Sequence, residues 1–265
     1  IIEGNNWSNP PQIELSNNNL ILFDESNLDF FQLNNSSIEV FEPIFSLTNN
    51  GELDRVSIIE NNQGQPCLVI VKNNTMEIIN VLDEELISSY NIQGLTAIEG
   101  SGQLFASAYN TTNGPIINVT TPFNPGIEIN ILIENFSNEL NDEYLERIYE
   151  IPVDYNNSTI IDIEMEGSLI VVLVDVGPLN RLILVDALTG NQEMISNPLW
   201  PSESPSIEGN YIAFLQRPIT SPPINLDPEN FNREVFLWNI DDNNGRIQIT
   251  LDDLDQENPH VLDNG

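Results

Sequence analysis

Carboxylates are the reactive side chains this sequence supplies in quantity: 41 Asp and Glu stand against 7 Lys and Arg, so their spacing decides what chemistry is within reach. In the turn 241–245, Asp241, Asn243 and Gly245 follow the opening of an oxygen-ligand calcium loop. No bidentate Glu follows downstream, however, and the segment lies where a hairpin has to turn. Asp252, Asp253 and Asp255, within LDDLDQEN, form a second set that one hard cation would accept. These five positions are the metal candidates, with calcium the ion they suit, and at both places a solvated turn is the simpler reading. Adjacent acids such as Asp83, Glu84 and Glu85 offer a glycosidase pair only in the sense that any chain this acidic does.

Nucleophilic and transition-metal chemistry lack their residues. His260 is the sole histidine and stands near the end of the chain, next to Asn258-Pro259, which argues against a Ser-His-Asp triad. Cys67 is the sole cysteine and lies inside the apolar run PCLVIV, where it reads as a small buried hydrophobe; an internal disulfide is ruled out. With one Cys and one His, zinc is unsupported, and the sequence contains neither a Gly-X-Ser-X-Gly elbow nor a phosphate loop. The expectation is therefore a non-enzyme with no catalytic residue and no cofactor beyond that calcium.

A third kind of chemistry is modification. Asn-X-Ser/Thr begins at Asn6, Asn34, Asn35, Asn73, Asn110, Asn118, Asn135, Asn156 and Asn157, nine starts where 39 Asn and 30 Ser plus Thr would give about four at random. Most fall in expected turns, where an oligosaccharide is accepted. An Asn-rich chain also makes such triplets by accident, and both readings stand at this level.

The elements that must carry these residues follow a recurring phrase: a Pro or Ile, a small residue, an acidic residue with Gly or Asn, a β-branched strand, a strand ending in Asp or Asn, then one more. PSIEGNYIAF at 205–214, EVFLWNIDDNN at 234–244, RIQITLDD at 246–253 and QENPHVLDNG at 256–265 give it most clearly. Earlier copies open near Ile13, Ile58, Ile98 and Ile163, ahead of Ile207. In the copy from Ile163 the further strands are 169–175, 181–186 and 192–196; in the copy from Ile58 they are 67–71, 76–82 and 86–92. All are short, rich in Ile, Val and Leu, and bounded by Asn, Asp, Gly or Pro. One such unit cannot bury its own apolar face, so repetition near 40 residues implies stacked or radial sheets. The fold class is all-β, a β-propeller of four-stranded antiparallel blades, about five of them plus the start of a sixth.

The expected organisation is a single propeller domain over 1–265, with blades from 13, 58, 98, 163 and 207 and a partial blade from 259. That partial blade leads to the expectation that the chain is not a closed ring by itself. Insertions are expected between second and third strands at 110–126 and 217–232, and 138–150 alone has helical spacing, with Leu140, Tyr144, Leu145 and Ile148 on one stripe. Trp238 is expected in inter-blade core, and Trp7 and Trp200 occupy matching connectors.

The run IAFLQR, then REVFLWNIDDNNGRIQIT, then LDDLDQENPHVLDNG resembles the repeat of TolB-like β-propellers. The resemblance is good over roughly 161–265, and only spacing and patterning persist over 1–160. It implies a peptide- or protein-binding scaffold, or the gating domain of a prolyl-oligopeptidase-like enzyme, although this sequence carries no hydrolase domain.

A net charge of −34 repels nucleic acid and anionic membrane surfaces and favours cations and cationic partners. No stretch is long and apolar enough to insert into a membrane. The functional expectation is a non-catalytic, glycosylated protein-interaction scaffold, extracellular or at the cell surface, with the periplasm as a further setting, acting with a protein partner or as a subunit of a cell-envelope assembly beside a neighbouring subunit. Its rival is an enzyme or accessory domain with a carboxylate or cation site at the mouth of the propeller channel.

Overall fold

The computed structural model describes residues 11–16, 19–33, 43–48, 53–123, 128–133, 158–176, 179–197, 200–217, 232–241, 246–251 and 255–261. Among them every regular element is a strand, and none is a helix long and apolar enough to cross a membrane. The strands form five four-stranded antiparallel sheets, each a simple meander in chain order. The first holds β1 (Gln12–Ser16), β2 (Asn19–Phe23), β3 (Asn27–Gln32) and β4 (Phe45–Thr48). The second holds β5 (Leu53–Glu60), β6 (Pro66–Lys72), β7 (Thr75–Asn80) and β8 (Glu85–Asn91). The third holds β9 (Leu95–Ser101), β10 (Leu104–Thr111), β11 (Gly114–Thr120) and β12 (Glu128–Leu132). The fourth holds β13 (Thr159–Glu166), β14 (Leu169–Val176), β15 (Leu179–Asp186) and β16 (Gln192–Met194). The fifth holds β17 (Ser202–Glu208), β18 (Tyr211–Gln216), β19 (Glu234–Asn239) and β20 (Arg246–Gln248). Ile13, Ile58, Ile98, Ile163 and Ile207 all fall in the first strand of their sheet, as the recurring phrase requires.

Each letter of that phrase has a physical task. Between first and second strands, Gly167 and Gly209 take positive φ (58° and 55°) at the first position of a two-residue loop, as a type II′ hairpin demands, so the acidic-Gly pair is a turn signal. At the end of the third strand the Asx side chain folds back on the chain. Asn80 Oδ1 accepts the N–H of Leu82 at 3.0 Å, Asp186 Oδ1 that of Leu188 at 3.0 Å, and Asn239 Oδ1 that of Asp241 at 3.0 Å.

The chain divides into two compact units, Ile1–Phe105 with Thr120–Ile127, and Ala106–Val119 with Glu128–Gly265. In the first unit, β6 shows why second strands are continuously apolar. Leu68 and Ile70 pack in a cluster with Ile21, Phe30 and Val56, while Cys67, Val69 and Val71 face the opposite cluster with Ile98 and Phe105. Alternate side chains thus bury on opposite faces, each contributing about 1.5–3 kcal/mol. In the second unit Val171, Leu173, Leu182 and Leu184 meet Ile207, Ile212, Phe214 and Phe236.

One expectation changes, and others run beyond the described residues. Residues 110–126 are not an insertion: Gly114–Thr120 is the third strand and Glu128–Leu132 the fourth, joined to β10 by a short turn at 112–113. Of the stretch RIQITLDD, Asp252 and Asp253 lie outside the described residues and the strand is Arg246–Gln248; past it the Thr250 hydroxyl, in place of a backbone carbonyl, accepts the Val235 N–H at 2.9 Å and donates to Glu234 at 2.6 Å. Of the partial blade expected from 259, residues 259–261 carry no strand and the Val261 N–H rests on Ser206 Oγ at 3.3 Å, while 262–265 lie outside the described residues. The helical stripe of 138–150, most of the 217–232 insertion, and Trp7 lie outside the described residues.

Candidate functional site

Of the metal candidates, Asp241 and Asp255 are described, while Asn243, Asp252 and Asp253 lie outside the described residues. Asp241 opens the β19–β20 turn, held by its own N–H on Asn239 and accepting from Asn210 Nδ2 across the neighbouring hairpin. Asp255 is engaged by Arg233. One carboxylate oxygen accepts the Arg233 backbone N–H at 2.7 Å and its Nε–H at 3.0 Å, and the other accepts from the guanidinium at 2.8 Å. The same guanidinium reaches Glu203 at 3.4 Å and Glu257 at 3.5 Å, and Arg217 reaches Glu203 at 3.7 Å. Such charge-assisted, forked bonds hold a carboxylate ionised, and Asp255 accordingly sits low, at about 2. Arg233 is driven in the opposite direction, its proton held more firmly by Asp255. The knot ties segment 255–257 to the ends of β17, β18 and β19. Among the described residues no group of three or more His, Cys, Asp or Glu is placed to share an ion.

Other reactive groups are likewise tied into structure. Asp186 lies below its ordinary value because the Thr189 hydroxyl donates to it at 2.7 Å and backbone N–H groups add to this. Asp29 and Glu234 are fully or nearly fully buried, accepting from Ser46 and Thr250. Cys67 is completely buried, and desolvation pushes its thiol up to about 11. His260 is exposed. Trp200 stands 6.0 Å from Phe236 in a tilted ring contact, and Trp238 packs on the same cluster, so both belong to core between sheets.

The described sequons differ sharply. Asn73 and Asn74 form the exposed tip of the β6–β7 hairpin, both at positive φ (49° and 61°) in the two-residue loop between Lys72 and Thr75. That is the type I′ geometry Asn tolerates. Asn118 lies on β11, donating to Glu128 at 3.1 Å and Asn130 at 3.0 Å. Asn110 is half-buried on β10, its side-chain amide pairing with both backbone groups of Ile160. Asn73 is therefore the described site with room for a sugar. Asn6, Asn34, Asn35, Asn135, Asn156 and Asn157 lie outside the described residues.

The first unit also holds a cavity of about 330 Å³, lined by Asp54, Arg55, Val71, Asn74, Ile92, Gly94 and Leu95. Two features escaped sequence reasoning, this cavity and the Arg233 knot. The one signal for the knot was that Arg233, one of only seven basic residues, stands directly before a strand in a strongly acidic stretch.

No protein-family profile and no curated relative matches the sequence. Solved structures do. Hsv2 of Kluyvelomyces marxianus aligns with a TM-score of 0.57 at 14% identity over 92% of this chain and 67% of its own. Hydrazine synthase of Kuenenia stuttgartiensis aligns at 0.54, 14% identity, 92% and 66%. The Pan2 WD40 domain of Neurospora crassa aligns at 0.52, 11% identity, 90% and 64%. This chain spans about two thirds of the length of these structures. At such identities the likeness establishes the fold: an all-β propeller built of four-stranded antiparallel blades.

Proposed function

We propose that this propeller is a non-catalytic interaction scaffold of the TolB-like kind, one domain over residues 1–265, that works outside the cell or at its surface as part of a cell-envelope assembly. The observation that carries this reading is how the polar side chains are used. Asp255 and Glu203 close on Arg233, Asp186 caps a turn, Asp241 accepts from Asn210, and Asn110 fastens one sheet to the next. Groups that would do chemistry elsewhere here maintain a rigid frame, which is what a binding platform requires. The charge of −34 supports cationic protein partners and disfavours nucleic acid and anionic membranes. Asn73, on its exposed hairpin tip, supports an extracellular glycoprotein.

Mass spectrometry of protein taken from its native source tests both halves. The expected result is a glycan on the peptide bearing Asn73 and a stoichiometric co-purifying chain. Finding all nine sequons unmodified would refute the glycoprotein, and a solitary chain would refute the assembly.

A further inference from the structure

The fourth strands of the five sheets are not alike. Among the described residues β4, β12, β16 and β20 have 4, 5, 3 and 3, whereas β8 has 7, and all seven but Ser88 are exposed. Leu86, Ile87 and Tyr90 are 53%, 39% and 44% exposed on it, three such side chains where, among the described residues, β12 and β20 each show one, Leu132 and Ile247. A long, apolar outer strand presents unpaired backbone groups that template another strand unless covered or blunted. The ladder fixes which groups these are. Because the Ile92 N–H bonds to Asn74 O at 2.8 Å and pairing alternates along an antiparallel pair, the N–H and C=O of Ser89 and Asn91 face away from β7. At the other end of the strand, Asp83, Glu84 and Glu85 are all exposed.

We infer that the open edge of β8 is a strand-addition site whose occupant is an extended segment of a partner protein in which apolar residues alternate with Lys or Arg. Backbone bonds from Ser89 and Asn91 supply attachment, Leu86, Ile87 and Tyr90 supply apolar contact, and Asp83, Glu84 and Glu85 select cationic residues. A second copy of this chain is the wrong occupant, since it would bring two strongly negative bodies edge to edge. The inference deepens the scaffold reading by naming its contact. Failure of this edge to bind would remove the contact while leaving the co-purified chain of the preceding test in place.

The probe is a capped decapeptide of alternating Lys and Val, compared with one of alternating Lys and Gly that has equal charge and little strand propensity. The intact protein is expected to bind the first and not the second, with amide exchange slowed at Ser89 and Asn91. Ser89→Pro removes an outward N–H without touching the ladder to β7, so it should abolish binding at an unchanged melting temperature. Glu84→Lys with Glu85→Lys should weaken binding about tenfold or more. Should Ser89→Pro fail to fold, the exchange pattern of the unaltered protein decides. Equal binding of both peptides, protection elsewhere than β8, or sedimentation showing self-association through this edge would each overturn the inference.

Discussion

At the scale of single residues, burial and pairing set reactivity. Cys67 touches no solvent and its thiol is pushed up to about 11 by desolvation, with the Asn61 backbone opposing this only in part. The thiolate is the reactive form. The expected outcome at pH 8 is no labelling of native protein by a thiol reagent and complete labelling in denaturant; rapid labelling of the folded chain would contradict the burial. Asp255 gives a pH dependence of definite sign. Its folded value, about 2, lies below its ordinary 3.8 because Arg233 donates to both oxygens. A depressed carboxyl contributes stability that is present above the unfolded value and lost as pH falls from about 4 through about 2. Asp255→Asn should flatten the loss of stability across that window. Its cost at neutral pH should stay under about 1 kcal/mol, because half the carboxylate surface is open to solvent. Denaturant titrations at pH 7 and pH 3 would check both parts, and an unchanged acid limb in Asp255→Asn would count against the pairing.

At the scale of elements, the first strands β5 and β9 lie side by side, and the approach leaves no space for a Cβ. Gly100 on β9 sits against the backbone carbonyl oxygen of Ile58 and the side chain of Ile59 on β5, and the Glu60 N–H reaches Gly102 O at 2.6 Å. A backbone oxygen cannot rotate aside as a side chain can, so Gly100→Ala should destabilise by about 1–3 kcal/mol. Gly102→Ala meets only the strain of a positive φ of 54°, with open space around it, and should cost less. Thermal melts of the two variants would rank them, and the reverse order would refute this packing. The five first strands were legible in the sequence because Ile13, Ile58, Ile98, Ile163 and Ile207 recur with turn residues whose chemistry is local. β11 was not, because Asn113, Gly114, Pro115 and Pro122 read as loop. Pro115 is nonetheless accommodated near the start of that strand, its carbonyl accepting the Ile133 N–H at 3.0 Å. The fate of Asp255 was hidden for a different reason: its partner Arg233 is distant in sequence, and carboxylate spacing alone does not separate a cation site from an ion pair. The exposure of β8 was equally hidden, since Leu86, Ile87 and Tyr90 have the composition of any strand here.

At the scale of the whole molecule, the charge of −34 dominates. Seven basic residues can neutralise few of 41 acids, so after Arg233, Arg217 and Lys72 have paired with Glu203, Asp255, Glu257 and Glu77 most carboxylates repel one another across the surface. Folding brings these charges closer than the extended chain does, so the repulsion is a penalty on the folded state. Salt acts on two opposed contributions. It weakens the paired residues, and it screens the far more numerous repulsions as the Debye length falls from about 30 Å at 0.01 M to about 3 Å at 1 M. The numbers decide which prevails. The melting temperature should therefore rise with sodium chloride over that range, most steeply at its lower end, and the rise should shrink as pH approaches 4 and the carboxylates protonate. Melting curves at four or so salt concentrations and two pH values would test this. A melting temperature that fell with salt would show that the few ion pairs, the Arg233 knot foremost, outweigh the repulsion of the whole.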